Sequence, residues 1–183
     1  MIDIHPLKQL SADEYKRLVV GYTSEEAYIA KKTESTDRVV ISLDRVTLRK
    51  PHVKTWPYSE ETFKASCGYL DQGTSVGASV DDELVGLAIS ERKEWNRSLH
   101  VWEFHVSEQH RNGGIGKRMM DRLAELAREI GFRSIVCETQ NTNAPAIDFY
   151  RRVGFEVEGI DLTLYEHDES CRGEVAVFMK RKV

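Results

Sequence analysis

Cysteine is scarce in this sequence, and its three copies lie far apart. Cys67, Cys137 and Cys171 form no C-x-x-C pair. An odd, widely spaced set of cysteines indicates neither a disulfide framework nor a zinc site. We therefore expect a protein of a reducing compartment, with a cytoplasmic location and no bound metal.

Long apolar runs, an export signal and blocks of one charge are also missing. No stretch approaches the roughly 18 apolar residues of a membrane helix. The N-terminal residues lack the basic and then apolar pattern of a signal peptide. The net charge of −4 comes without the basic stripe that nucleic-acid binding needs. We expect a soluble, unexported protein without a nucleic-acid or membrane partner.

The composition is that of an ordinary globular protein. The 183 residues are 40% apolar and 31% charged, with only 4 Pro and 12 Gly. This length is enough to bury one sizeable core, so a single domain is expected.

Two patterns near the N-terminus resemble the capping box of a helix start. Ser11 is followed by Glu14, and Thr23 is followed by Glu26. In this box the hydroxyl and the carboxylate each accept a hydrogen bond from a backbone N–H at the helix end. The sequence therefore predicts two short N-terminal helices.

The next segment is interrupted by proline. Residues 38–48 are rich in Val and Ile and predict a strand, whereas Pro51 and Pro57 lack the N–H donor that a strand needs. We expect the segment that follows the strand to be mostly irregular. A helix is expected from residue 60 to about 70, ending near Gly73.

From Thr74 the patterns are clearer and indicate an α/β architecture. Residues 74–80 and 83–92 flank the turn Asp81-Asp82 and predict an antiparallel hairpin. The longest expected helix covers residues 111–131, because its apolar residues recur at helical spacing. The other expected elements are strands at 99–106, 134–139, 155–160 and 174–180, and a helix from Asn143 to about Val153.

A glycine-rich loop, residues 111–116, lies between a predicted strand and a predicted helix. Its sequence is Arg-Asn-Gly-Gly-Ile-Gly, followed by Lys117. Such a loop points free backbone N–H groups and the positive end of the helix dipole at one spot, which suits a diphosphate. It has neither the Walker spacing nor a dinucleotide-binding fingerprint. The alternative interpretation is a simple turn with a solvated Arg111.

Two motifs in order carry a family resemblance. Arg111-x-x-Gly114-x-Gly116 is followed by Asn143-x-x-Ala146-x-x-Phe149-Tyr150-x-x-x-Gly154-Phe155. From about residue 74 to 159 the chain resembles the GNAT superfamily of N-acetyltransferases. It is similar in particular to the streptothricin acetyltransferase group, through Trp95-Asn96-Arg97, Glu103, Glu138-Thr139-Gln140 and Asp161-x-x-Leu164-Tyr165.

The resemblance implies a fold and a domain organisation. We expect a GNAT-like α/β (α+β) fold with a mixed, mostly antiparallel sheet of about six to seven strands flanked by helices. One N-acetyltransferase domain is expected over residues 1–183. Within it, residues 1–73 would be a helical acceptor-side region, 74–160 the acetyl-CoA-binding core and 161–183 a C-terminal strand region.

The resemblance also implies where acetyl-CoA binds. Backbone groups of Phe104, His105 and Val106 would pair with the pantetheine arm as if it were an added strand. Backbone amides would hold the diphosphate, from Arg111, Asn112, Gly113, Gly114, Ile115, Gly116 and Lys117. Asn112 stands where the group more often has glycine, so the loop shape could differ there. Asn143, Ala146, Phe149 and Tyr150 would contact the cofactor arm, although helix capping explains Asn143 almost equally well.

Acetyl transfer to an amine needs a base and an acid. Tyr150 is the implied acid, because an ordinary phenol is protonated at neutral pH; the alternative is an aromatic side chain that only packs against Phe149. Glu103 is the first candidate base, acting through water. Period-2 alternation predicts Leu99, Val101, Glu103 and His105 on one strand face, with Trp102, Phe104 and Val106 on the other. His105 is therefore the second candidate.

Other carboxylates have open roles. Glu138 would either line the acceptor pocket or pair with an arginine, and Glu91, Glu94 and Asp161 would either bind a cationic acceptor or only face solvent. The expected function is N-acetylation of a primary amine, such as that of a streptothricin-like antibiotic, with antibiotic resistance as its result. The alternatives are a protein or peptide N-acetyltransferase and a non-catalytic acyl-CoA-binding module. A homodimer is a further possibility for this fold.

Overall fold

The computed structural model describes residues 1–165 and 173–183, so Cys171 lies outside the described residues. The chain divides into two compact units. The first unit comprises residues 1–20, 56–137 and 181–183, and the second comprises residues 21–55 and 138–180.

The first unit contains most of the sheet and three of the helices. In chain order its elements are β1 (Ile2–Pro6), α1 (Ala12–Leu18), α2 (Glu60–Cys67), β4 (Val76–Val80), β5 (Glu83–Lys93), β6 (Ser98–Val106), α3 (Ile115–Glu129) and the start of β7 (Ser134–Gln140). The second unit contains β2 (Gly21–Ser35), β3 (Arg38–Thr55), the end of β7, α4 (Ala144–Arg152), β8 (Glu156–Asp161) and most of β9 (Ala176–Lys182). The last residues of β9, 181 and 182, belong to the first unit.

The main sheet confirms the predicted architecture. Its strand order is β1-β4-β5-β6-β7-β9-β8, while β2 and β3 form a separate hairpin. The pairs β1–β4, β4–β5, β5–β6 and β8–β9 are antiparallel, and β6–β7 is parallel. A mixed, mostly antiparallel sheet of seven strands is thus present, with helices flanking it. Among the described residues, no helix has both the length and the apolar composition needed to cross a bilayer.

Only one of the two predicted N-terminal helices forms. The Ser11 hydroxyl accepts from the Glu14 N–H, the Glu14 carboxylate accepts from the Ser11 N–H, and α1 follows. The prediction of a second helix at Thr23 was wrong, because residues 21–35 form β2. This segment pairs with β3 along almost its whole length, so tertiary pairing overrides a local capping pattern.

β3 is longer than predicted, and its ladder with β2 contains a shift in register. The pairing with β2 passes from Glu26–Thr47 directly to Ser24–His52. Residues 48–51 therefore lie outside the ladder, where Pro51 needs no N–H donor. β3 itself continues through these residues to Thr55, so the prediction of a mostly irregular segment was wrong up to Thr55.

A bulge in β6 corrects the predicted strand faces. Glu103 pairs with Ile89, but Val101 pairs with Ser90, so one extra residue, Trp102, is inserted. Adjacent residues on β5 point to opposite faces, and the insertion therefore moves Glu103 to the face opposite Val101. The prediction that Val101 and Glu103 share a face was wrong. Residues 87 and 89 of β5, on the Glu103 face, pack with α1.

The predicted long helix and its buried face are present, with a later start. α3 begins at Ile115 rather than Arg111, which leaves residues 111–114 as a true loop. The side chains of Met119, Leu123 and Ala127 are fully buried at helical spacing. α2, the 74–92 hairpin, β7, α4, β8 and β9 also form within a few residues of their predicted bounds, with Gly73 left-handed at φ 74°.

Candidate active site

The glycine-rich loop has the backbone geometry of an anion site. Asn112 has φ 62° and Gly114 has φ 80°, both in the left-handed region. A Cβ at Gly114 would meet nothing within 4 Å, and one at Gly113 would meet only the His110 carbonyl oxygen at 3.5 Å. Asparagine tolerates left-handed angles better than most residues, so Asn112 adopts the backbone form that glycine favours.

The start of α3 has backbone donors to offer. Its N-cap residue is Gly114, which makes no side-chain cap hydrogen bond. The first N–H groups of any helix lack intrahelical acceptors, and here they belong to Ile115, Gly116 and Lys117. Together with the open space over Gly113 and Gly114, this geometry fits a diphosphate.

The two flanking cations are held by the protein. Arg111 Nε donates to the Val106 carbonyl at 3.1 Å, which ties the loop to the end of β6. Lys117 Nζ pairs with Asp121 at 2.6 Å, and this hydrogen bond lowers the pKa of the Asp121 carboxyl. Arg111 thus carries positive charge at the start of the loop, whereas Asp121 balances the charge of Lys117.

The two ladders of β6 end at different residues. Its parallel ladder with β7 runs from Ser98–Ser134 to Val101–Cys137. Its antiparallel ladder with β5 continues to Val106. Phe104, His105 and Val106 therefore lie beyond the β7 ladder.

Glu103 is the centre of a hydrogen-bonded cluster in the first unit. Its Oε1 accepts from the Tyr15 hydroxyl at 2.9 Å, and its Oε2 lies 2.8 Å from His105 Nε2. Ser66 Oγ lies 3.5 Å from Oε1. The Glu103 side chain is 16% exposed and that of His105 11%. The two candidate bases therefore form a hydrogen-bonded pair. Their position on one strand face was predicted.

An aromatic surface adjoins this cluster on the same strand. Trp102 is 49% exposed and stacks nearly parallel to Tyr69, with ring centroids 6.0 Å apart. Its indole N–H donates to Glu91 at 2.8 Å. His100 packs against Trp102 at 4.3 Å, and burial, followed by the charge of Lys93, lowers the pKa of His100.

The other expected site residues lie on α4 in the second unit. Asn143 Oδ1 accepts from the Ala146 N–H at 3.2 Å, so its capping role is present. Tyr150 is buried at 7% exposure, with its ring 5.5 Å from Phe149 and 5.3 Å from Phe155. The candidate acid is therefore set among aromatic side chains.

Glu138 bonds to a tyrosine, and the arginine pair, one of the two roles left open for it, is absent from its described contacts. The Tyr165 hydroxyl donates to Glu138 Oε1 at 2.5 Å, and Gln140 donates to Tyr165 at 2.8 Å. Burial raises the pKa of the Glu138 carboxyl, the Tyr165 hydrogen bond opposes that shift, and the charge of Glu174 adds to it.

Three further acidic candidates already have partners. Glu91 bonds to Trp102 and pairs with Lys93 at 2.7 Å, and Glu94 pairs with Arg92 at 2.9 Å. Asp161 accepts from the Thr163 backbone N–H at 2.9 Å. Of the three, only Glu91 lies beside the aromatic surface.

Tyr15, Ser66 and Trp56 belong to the site but were not predicted as site residues. Tyr15 and Ser66 reach Glu103 from α1 and α2, and the Trp56 ring lies 5.5 Å from the His105 ring. The capping box placed Tyr15 on a helix. Nothing in one sequence pairs it with a residue 88 positions away.

Comparison with known proteins identifies the family. Residues 43–155, more than half of the chain, match the model of the acetyltransferase (GNAT) family. The chain belongs to the GNAT family. This GNAT enzyme is thus an acetyl-CoA-dependent N-acetyltransferase, as the sequence motifs predicted.

Two curated relatives of this GNAT enzyme are streptothricin acetyltransferases. The one from Streptomyces lavendulae is 39% identical over 141 residues, which cover 75% of this chain and 74% of the relative. The one from Escherichia coli is 32% identical over 108 residues, covering 59% and 62% of the two chains.

Two solved structures are similar over essentially the whole chain. A nourseothricin acetyltransferase superposes with a TM-score of 0.76 at 28% identity, covering 99% of this GNAT enzyme and 98% of that chain. A Bacillus anthracis protein in complex with acetyl coenzyme A superposes with a TM-score of 0.74 at 19% identity, covering 100% of both chains. The second likeness shows the shared fold.

Proposed function

We propose that this enzyme transfers the acetyl group of acetyl-CoA to a primary amine of a cationic small molecule of the streptothricin class. The observation that carries the proposal is the similarity to streptothricin and nourseothricin acetyltransferases, which reaches 39% identity over 75% of the chain. Acetylation would remove a positive charge from such an antibiotic, so the expected biological result is resistance.

The aromatic surface supports a cationic acceptor. Trp102 presents a half-exposed indole next to Glu103 on β6 and beside Glu91. Indole faces and carboxylates both attract ammonium groups, and Lys93 Nζ already lies 5.6 Å from the Trp102 ring centroid and pairs with Glu91, so an acceptor ammonium would take its place. An acceptor with a second cationic group would therefore be held by charge and by the indole face while its reacting amine meets the Glu103 cluster.

The first unit is proposed to hold the donor substrate. Backbone N–H groups at the start of α3 would bind the diphosphate, and residues 104–106 would pair with the pantetheine arm. This pairing would be an addition of the arm as a further strand. The family resemblance assigns contacts with the cofactor arm to Asn143, Ala146, Phe149 and Tyr150 as well.

The reaction requires three groups from the protein: a base, a donor to the thioester carbonyl and an acid. The Glu103–His105 pair would take a proton from the ammonium, which frees the lone pair of the amine. A backbone N–H from the β6 segment around Val106 would polarise the thioester carbonyl. Tyr150 would give a proton to the departing thiolate, so that free thiol leaves.

Tyr150→Phe tests the assigned acid. We expect turnover to fall by roughly 100-fold or more, with the affinity for CoA unchanged, because only a hydroxyl is removed. The matched control is Tyr28→Phe in the same unit, where the lost hydroxyl accepts from Arg151 at 2.7 Å. Equal turnover of Tyr150→Phe and the control would remove Tyr150 as the acid.

Trp102→Leu tests the cationic acceptor. Loss of a cation–π contact should raise KM for a dicationic amine roughly 3- to 30-fold while leaving the affinity for CoA unchanged. Trp95→Leu is the control, since this ring is 85% exposed and lies outside the cluster.

A panel of acceptors tests the whole proposal. Thiol release from acetyl-CoA would be measured with streptothricin, polyamines and short peptides. Acetylation of peptides alone would show a protein N-acetyltransferase. If no acceptor in the panel causes thiol release while CoA still binds, the protein is a non-catalytic acyl-CoA-binding module.

A further inference from the structure

The Tyr15 hydroxyl donates a hydrogen bond to one oxygen of Glu103. It lies 2.9 Å from Glu103 Oε1, and burial, followed by the negative charge of Glu103, raises the pKa of the Tyr15 phenol. Tyr15 is therefore a proton donor at every pH at which the enzyme would act. Oε1 of Glu103 thus accepts from Tyr15, and Ser66 Oγ lies 3.5 Å from the same oxygen.

The other oxygen of Glu103 then determines the tautomer of His105. An ionised carboxylate can only accept hydrogen bonds. Because Oε2 lies 2.8 Å from His105 Nε2, this ring nitrogen must carry the proton. In a neutral imidazole the lone pair is then on Nδ1.

The His105 ring is also held in place. The Trp56 ring packs against it edge to face at 5.5 Å, with an interplanar angle of 83°. His105 itself lies beyond the β7 ladder, on the part of β6 assigned to the donor substrate. The ring is thus held by Glu103 at Nε2 and by the ring of Trp56.

We infer that His105 is the catalytic base, accepting the proton at Nδ1, and that Glu103 and Tyr15 are positioning residues that fix its tautomer. This differs from a mechanism in which Glu103 itself takes the proton. The choice of amine rests on the proposed function, whereas the tautomer does not.

The proton balance of the step is simple. Nδ1 takes one proton from the ammonium, which leaves a neutral amine and an imidazolium stabilised by Glu103. The amine lone pair forms the C–N bond as the C–S bond breaks, and a second amine proton goes to the thiolate through Tyr150. The imidazolium then releases its proton to water, which restores the starting form.

The tautomer can be measured without any acceptor. Nitrogen-15 NMR of the histidines should show His105 as the Nε2–H form at the pH of activity, with its signals assigned by their loss in His105→Gln. In Glu103→Gln the amide N–H can donate to Nε2, so the Nδ1–H form should appear. An Nδ1–H tautomer or an imidazolium in the unmodified enzyme would overturn the inference.

Kinetics separate the base from its positioning residues. We expect His105→Gln to lower kcat roughly 100-fold or more, and Tyr15→Phe to lower it about tenfold or less. Tyr15→Phe should also move the acidic limb of the kcat/KM pH profile, for which the neighbouring titratable groups are Glu103 on β6, Tyr15 on α1 and Cys67 on α2. The control Tyr58→Phe, whose ring packs on Tyr15 at 6.4 Å, should leave the profile unchanged.

CoA binding shows that each variant is folded. If His105→Gln keeps its turnover while Glu103→Gln loses it, Glu103 is the base and the inference fails. If no cationic amine is acetylated, the proposed function fails, but the NMR measurement still decides the tautomer.

Discussion

Replacement of Gly114 by alanine tests the shape of the glycine-rich loop. Its φ of 80° is in the left-handed region, and an added Cβ would meet nothing within 4 Å. The cost is therefore conformational and amounts to about 1–2 kcal/mol. Alanine also lowers the conformational entropy of the unfolded chain, which stabilises the folded state by about 0.4–1 kcal/mol.

Gly113→Ala is the matched control, because the unfolded-state contribution is the same. Gly113 has an ordinary φ, and its Cβ would meet only the His110 oxygen at 3.5 Å. The difference in unfolding free energy between the two variants therefore isolates the left-handed strain, about 1–2 kcal/mol. Urea unfolding without CoA measures it.

Gly131→Ala is a second control at the far end of α3. Gly131 has φ 74° and nothing within 4 Å of an added Cβ. Gly131→Ala should therefore lower the unfolding free energy as much as Gly114→Ala does. Only Gly114→Ala should also weaken CoA binding by calorimetry. Equal stability of Gly113→Ala and Gly114→Ala would refute the loop geometry, and equal CoA affinity of Gly114→Ala and Gly131→Ala would refute its role.

Two further predictions concern the second unit. The Asn141 side chain donates to the carbonyls of Tyr28 at 2.6 Å and Gly173 at 3.3 Å and accepts from the Val175 N–H at 2.8 Å, so Asn141→Ala removes three hydrogen bonds. Urea unfolding should show a loss of roughly 2–5 kcal/mol; a loss under about 1 kcal/mol would contradict these contacts. Because burial raises the pKa of Glu138 in the folded state, its contribution to stability is lost as pH rises from about 4.3 through the raised pKa. Glu138→Gln keeps a partner for Tyr165, so its unfolding free energy should rise relative to that of the unmodified enzyme as pH increases across that window. A difference in unfolding free energy that is constant with pH would exclude the raised pKa of Glu138.

The elements of the cofactor-binding core were predictable because their signals are local. The apolar spacing of α3 specifies its buried face, and the left-handed angles of the loop fall on residues that tolerate them, Asn112 and Gly114. Asn143 is predictable as a helix cap for the same reason, since the bond to Ala146 spans three positions.

The errors in the prediction arise from contacts that the local sequence does not contain. A capping pattern at Thr23 predicts a helix, but pairing with β3 makes the segment a strand. The bulge at Trp102 changes which residues share a face, and a period-2 pattern cannot show an inserted residue.

The centre of the candidate site depends on the longest contacts. Glu103 and His105 could be paired from the strand alone, since two positions separate them. Tyr15, which holds the other oxygen of Glu103, lies on a separate helix from the N-terminal part of the chain. A single sequence carries no signal for that pairing.

Direct observation of acetyl transfer tests the central claim. The purified enzyme would be incubated with acetyl-CoA and streptothricin, and both thiol release and the mass of the antibiotic would be followed. We predict one acetyl group added to an amine for each thiol released. An unchanged antibiotic with CoA still bound, or acetylation of peptides in its place, would contradict the proposed function.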